Sequence, residues 1–175
     1  MDWREVSAEE LVECLEIEPR VWGDEIVGRE RALKAWRTLT RSLACNSAVL
    51  EANGSQRRKI AFGCSVFVTP GFADGELESP RPGINSRIVA SVVRGEPVLR
   101  AESSLCDSNA ALDVVILSCN YRYEVMNSEE TVQAEMALPT AFAEAHIGYK
   151  LNRILVWILR WGVIYPKTGF TQDQV

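Results

Sequence analysis

Leu112-Asp113-Val114-Val115-Ile116-Leu117 is the stretch whose reading decides the fold. The run is short, apolar and rich in β-branched residues, which suits a strand buried on both faces better than a helix. Polar residues follow, and then a helical pattern begins. Asn127 is a candidate N-cap, and Glu130, three residues on, completes a capping box. Pro139 lacks an N–H and breaks or kinks that helix, and the pattern resumes at Thr140. Ile147, Leu151, Ile154, Leu155 and Ile158 fall at i, i+4, i+7, i+8 and i+11, one helical face. A buried strand feeding a long amphipathic helix over 127–159 is the expected centre of an α/β core.

The chain around it has 175 residues, enough for one domain with a sizeable core. With 47% hydrophobic and 25% charged residues, its composition is that of a globular protein rather than a disordered one. A net charge of −5 argues against general nucleic-acid binding, which needs a basic surface. The five cysteines, Cys14, Cys45, Cys64, Cys106 and Cys119, form no C-x-x-C pair and are odd in number. That favours a reducing, cytoplasmic setting over a disulfide framework. A single histidine, His146, leaves no His-rich metal site, so no metal is expected. The polar, acidic start Met1-Asp2-Trp3-Arg4-Glu5 is unlike a signal peptide. The longest apolar window, 154–165, is interrupted by Arg160 and is too short to span a bilayer, so no membrane partner is expected. Residues 1–165 read as a single domain and 166–175 as a frayed tail.

Taken in order, Trp3-Arg4-Glu5-Val6 predicts a first strand. Ser7 and Glu10 form a capping box with a Val6–Leu11 staple, and the helix they open turns Leu11, Cys14 and Leu15 inward. A second helix is expected over 27–43, with Ala32, Trp36, Leu39 and Leu43 on one face and the basic stripe Lys34, Arg37, Arg41 on another. That stripe reads as a solvated face, or as a surface for a phosphate-bearing ligand or an acidic partner. Residues 47–52 and 60–69 read as a hairpin about the Asn53-Gly54 turn. The second of these strands alternates Ile60, Phe62, Cys64, Val66 and Val68 against Ala61, Gly63, Ser65, Phe67 and Thr69. Residues 70–86, rich in proline and glycine, predict a long irregular segment. Ile88-Val89-Ala90-Ser91-Val92-Val93 predicts a strand over 87–94, and 98–111 a short, broken helix. The sum is a single α/β (α+β) domain: a mixed, mostly antiparallel sheet flanked by helices in three layers.

This order of elements resembles that of GNAT-type N-acetyltransferases, over roughly residues 3–160. The start, Trp3-Arg4-Glu5-Val6-Ser7-Ala8-Glu9-Glu10-Leu11, is similar to family N-termini, and Phe142-Ala143-Glu144-Ala145-His146-Ile147-Gly148-Tyr149 resembles the helix beside the acetyl group. The resemblance implies a sheet that splays between its fourth and fifth strands, with acyl-CoA pantetheine in the gap. By this count 87–94 is the fourth strand and Leu112 to Leu117 the fifth. Acetyl-CoA or another acyl-CoA is then the implied co-substrate, held at Val92, Val93, Arg94, Gly95 and Cys119. The family's phosphate motif (glutamine or arginine, two residues, glycine, one residue, glycine or alanine) should follow the fourth strand and aim backbone N–H groups at the pyrophosphate. The stretch here is Arg94-Gly95-Glu96-Pro97-Val98, with one glycine, a carboxylate that repels phosphate and a proline that removes a donor.

Acyl transfer to an amine needs a base for the amine and an acid for the leaving thiolate. The resemblance implies Tyr149 as acid, with Tyr121 and Tyr123 as rivals, and Glu51 or Glu96 as base. Each also reads as ordinary surface chemistry, an amphipathic tyrosine on a helix or an exposed carboxylate. Cys119 with His146 lacks a third orienting residue, and Ser65 and Ser118 lack the G-x-S-x-G context of a hydrolase. Two readings stand. One is an acyl-CoA-dependent N-acyltransferase-like protein acting on a small-molecule or amine substrate, in degenerate or truncated form. The other is a non-catalytic sensing or interaction domain related to a bacterial transcriptional regulator, forming a homodimer through Trp157 and Trp161.

Overall fold

A computed structural model describes residues 2–16, 21–52, 58–79, 83–117 and 148–156. Among them the chain runs β1 (Asp2–Glu5), α1 (Ala8–Glu16), α2 (Asp24–Val27), α3 (Arg29–Thr40), β2 (Cys45–Ala52) and β3 (Arg58–Val68). It continues through α4 (Pro70–Glu78), α5 (Ile84–Arg94), α6 (Glu102–Leu105), β4 (Ala111–Leu117) and β5 (Lys150–Val156). The strands form one five-stranded sheet in the order β1-β2-β3-β4-β5. The first three pairings are antiparallel and β4–β5 is parallel, so the sheet is mixed and mostly antiparallel, as the sequence predicts.

The first elements follow their sequence signals. Ser7 accepts a hydrogen bond from the Glu10 N–H through its Oγ, 3.2 Å away, and so caps α1. Leu11, Cys14 and Leu15 turn into the core, with Val6 packed beside them. Gly23 and Gly28, both at positive φ, set α2 off from α3, so the helix expected from residue 27 begins two residues later. Ala32, Trp36 and Leu39 are buried as expected. Leu43 is 64% exposed, because α3 stops at Thr40 and Leu43 lies in the turn beyond.

The central strand, β3, is covered on both sides. Phe62, Cys64, Val66 and Val68 join the main core with α1, α3 and α5, while Phe67 joins Ala44, Leu105, Leu112 and Val114 on the opposite face. The expected run of β4 is confirmed, with Leu112, Val114, Val115 and Ile116 all buried.

Three expectations are overturned. Residues 87–94 are not a strand but the body of α5, whose buried Ile84, Ile88 and Ser91 recur at i, i+4 and i+7. Gly95, at φ +71, ends it. The Gly95 N–H donates to the Val92 carbonyl and the Glu96 N–H to the Ser91 carbonyl, the paired bonds of a Schellman cap. The irregular segment 70–86 contains α4, which Thr69 caps and Pro70 opens. The Thr69 Oγ1 accepts from the Phe72 N–H, and proline at the first helical position loses no needed donor. The helix expected over 127–159 is, where described, strand β5. Leu151, Ile154 and Leu155 lie in that strand, beside β4, where a free neighbour supplies backbone partners. The Asn53-Gly54 turn, the Asn127 cap, Pro139, and Trp157 and Trp161 lie outside the described residues.

Candidate functional site

The feature of the sheet with chemical consequences is its parallel pair. β4 and β5 are in register from Ala111↔Lys150 to Ile116↔Val156, with one slip between Leu112 and Asp113. Ligands of open sheets with parallel strands sit beyond the strands' carboxyl ends. Here both carboxyl ends point the same way. Leu117 stands opposite Cys64 of β3, so they point towards the end of the sheet where Glu51 lies opposite Lys59.

Glu51 is therefore on the side of the sheet that the parallel pair opens onto. The β2–β3 register slips between Leu50 and Glu51, and on its other side Glu51 stands opposite Asp2 of β1. There its carboxylate accepts from Arg4 Nη2 at 2.8 Å, while Glu10 is held by Arg4 at 2.6 Å and Lys59 at 2.7 Å. The hydrogen bonds from Arg4, then from Lys59, pull the Glu10 carboxyl down to about 2.

The other expected catalytic residues lie at the opposite end. Tyr149 precedes β5, and its ring lies 5.0 Å from that of Phe67. Phe67 is eight residues along β3 from Lys59, so Tyr149 and Glu51 are separated by roughly 27 Å of strand. Glu96 follows α5, close to where Val98 accepts from the Thr69 N–H at the end of β3. It takes hydrogen bonds from Arg94 at 2.6 and 2.9 Å and from Ser91 Oγ at 2.8 Å. Arg94 first, and Ser91 second, pull its carboxyl down to about 2, the state of an anion rather than of a base poised near neutrality. Tyr149, Glu51 and Glu96 are thus not brought to one place. Val92, Val93, Arg94 and Gly95 belong to the last turn and cap of α5. A helix C-terminus presents carbonyl oxygens and the negative end of its dipole, the reverse of a phosphate cradle. Cys119, His146, Tyr121 and Tyr123 lie outside the described residues.

The amino end of the parallel pair holds a polar cluster. Asp113 is 2% exposed on β4, and Arg153 of β5 grips it with two hydrogen bonds, Nε to Oδ1 at 2.7 Å and Nη2 to Oδ2 at 2.8 Å. Asn152 adds a third bond at 2.8 Å, and the remaining arm of Arg153 reaches Asp74 of α4 at 2.5 Å. Arg153 above all holds the Asp113 carboxyl below its ordinary range. A carboxylate so fully satisfied works as a clamp between strands rather than as a nucleophile or base.

No protein-family model and no curated protein matches the sequence. Solved structures do match the fold. One, described as a probable acetyltransferase, superposes with a TM-score of 0.51 at 11% identity, over 99% of this chain and 92% of that one. Another, a candidate acetyltransferase of Agrobacterium tumefaciens, gives 0.46 at 12% identity over 100% and 96%. The chain has a GNAT-like fold. This changes which strands matter for the slot that such a fold implies. The fourth and fifth strands are β4 and β5, not 87–94 and 112–117, and they stay paired to the last residue of β5. The gap expected beside 87–94 does not exist, because that segment lies in the helical layer.

No motif in the sequence singles out Asp113, Arg153 or Asp74. The signal for the first was present: one carboxylate inside an otherwise apolar run, where a buried charge needs a partner. Its partner was hidden because residues 150–156 read as helix. Among the described residues no cluster of three or more His, Cys, Asp or Glu could hold a metal ion, and no helix is long and apolar enough to cross a membrane.

Proposed function

We propose that the chain is an acyl-CoA-dependent N-acyltransferase whose thioester lies at the carboxyl ends of β4 and β5. The observation that carries this reading is the parallel pair set into an otherwise antiparallel sheet. In the reaction, an amine loses a proton, attacks the thioester carbonyl and forms the amide, while the thiolate leaves and takes up a proton. Glu51 is the candidate base, since it is the expected carboxylate on the side onto which the pair opens. A thioester substrate and five cysteines with no C-x-x-C pair among them fit a reducing, cytoplasmic setting.

Isothermal titration of the full chain with acetyl-CoA is expected to give saturable binding, and thiol release should follow when amines are added. Glu51→Gln is expected to cut kcat about tenfold or more while leaving the acyl-CoA KM in place. No heat at about millimolar acetyl-CoA overturns the reading.

One observation favours a second, a non-catalytic ligand or interaction domain. The segment after β4 begins Ser118-Cys119-Asn120-Tyr121-Arg122-Tyr123, and no glycine occurs until Gly148. Glycines are what let a loop bring its backbone N–H groups close to a pyrophosphate. This second reading expects no acetyl-CoA binding and a dimer through Trp157 and Trp161, and a monomer by light scattering at high concentration counts against it.

A further inference from the structure

Helix α3 and the turn after it carry five basic residues, and they divide by direction. Three turn towards α1: Arg29 donates to the Glu16 carbonyl at 2.8 Å, Arg37 pairs with the Glu16 carboxylate, and Arg41 stands 3.7 Å from that of Glu9. The other two, Arg31 and Lys34, turn towards α5 and make no ion pair among the described residues. They lie three residues apart, so their Cβ atoms are about 5–6 Å apart on one helix face, where like charges repel. Glu30, one turn before Lys34, does not engage it among the described residues.

Between this unneutralised pair and α5 lies a hollow of about 350 Å³. Among the described residues its walls are Arg31, Lys34, Ala35, Thr38, Val92 and Val93. Ala35 is buried, and Val92 and Val93 are half-buried on the main core, so an apolar floor sits beneath a cationic rim. The volume falls within the range of small-molecule sites.

We propose that this hollow binds a small organic anion, its carboxylate or phosphate head between Arg31 and Lys34 and its apolar body on Ala35, Val92 and Val93. The site is separate from the acyl-transfer reading and stands or falls without it. Neutralising two repelling cations supplies the electrostatic part of the binding, and covering the valines supplies the apolar part. Specificity follows from needing both parts at once.

The test uses phenyl phosphate as probe, titrated into the ¹⁵N-labelled full chain and followed by amide chemical shifts. Saturable shifts are expected across residues 31–38 and 92–93, weakening as salt rises. Inorganic phosphate, which lacks the apolar body, should bind about tenfold more weakly. Arg31→Gln and Lys34→Gln should each weaken phenyl phosphate about three- to tenfold, and Arg31→Glu/Lys34→Glu should abolish it. Arg37→Gln, on the α1 side, should leave the affinity unchanged. Equal affinity for inorganic phosphate, or equal weakening by Arg37→Gln, overturns the proposal by showing a general field instead of a site. Binding to phosphatidylglycerol vesicles with none to phenyl phosphate overturns it in favour of a lipid surface.

Discussion

Ile88-Val89-Ala90-Ser91-Val92-Val93 in α5 and Val114-Val115-Ile116-Leu117 in β4 draw on the same apolar, β-branched residues, yet one stretch is helix and the other strand. Side-chain stiffness in valine and isoleucine favours extended backbone only weakly, by less than about 1 kcal/mol per residue. The surroundings outweigh it. β4 lies between β3 and β5, so each of its edges finds a ladder. Among the described residues α5 has no strand paired beside it. It has a glycine at each end in the left-handed conformation, Gly83 and Gly95, and its buried side chains recur every three to four positions. Composition is therefore a poor guide to either stretch; termini and neighbours decide.

The comparison can be broken most severely from the strand side. Asp113→Ala removes the acceptor of three hydrogen bonds from Arg153 and Asn152 and strands the guanidinium against β4. A loss of about 3–4 kcal/mol is expected in urea unfolding. The same carboxylate gives β4 a pH signature. Its folded pKa lies below the unfolded value of about 3.9, so its stabilisation is complete above that value and is lost as the pH falls below it. Unfolding free energies measured from about pH 5 to about pH 3 should fall more steeply for the native chain than for Asp113→Asn.

From the helix side, Gly23→Ala is expected to cost about 2–3 kcal/mol. Gly23 has φ +92, and a Cβ there would stand 2.5 Å from Cγ1 of Val89, driving a wedge between the α2 turn and α5. An unchanged urea midpoint would mean that α5 does not rest on that turn. The mildest change is Gly95→Ala, which places a Cβ in the left-handed cap and meets no neighbour. About 1 kcal/mol is expected, with helical content fraying at Ser91 to Arg94. A strand at 87–94 would be indifferent to that substitution.

Much of the framework was legible because its signals were local. Ser7 before an amphipathic run gave α1, strict alternation gave β3, and the bare apolar run gave β4. Thr69-Pro70 was also a legible helix start, but Gly71, Gly75 and the prolines nearby pointed to a loop. Residues 150–156 failed for a different reason. A strand with a register slip and one exposed isoleucine, Ile154, lacks clean alternation, and its place was fixed by β4, about 40 positions earlier in the chain. The same long-range dependence hid the Asp113–Arg153 clamp. Glu51 could be nominated, but its partner Arg4 lies 47 positions away on β1, which no local pattern reveals.

Residues 70–97 leave the sheet and return to it through a narrow neck. Val98 accepts from the Thr69 N–H, the Thr69 hydroxyl donates to the Pro97 carbonyl, and Val68 bridges Leu99. Departure and return are stitched side by side, so the excursion is pinned at its base, while Ala73, Ile84, Ile88 and Val89 pack back into the core beneath β3. Closing such an excursion costs little more as it lengthens. Length can therefore vary in the exposed turns of this excursion without shifting β3 against β4, whereas Asp74, Ile88 and Val89, which reach β5 and the core, hold its body in place.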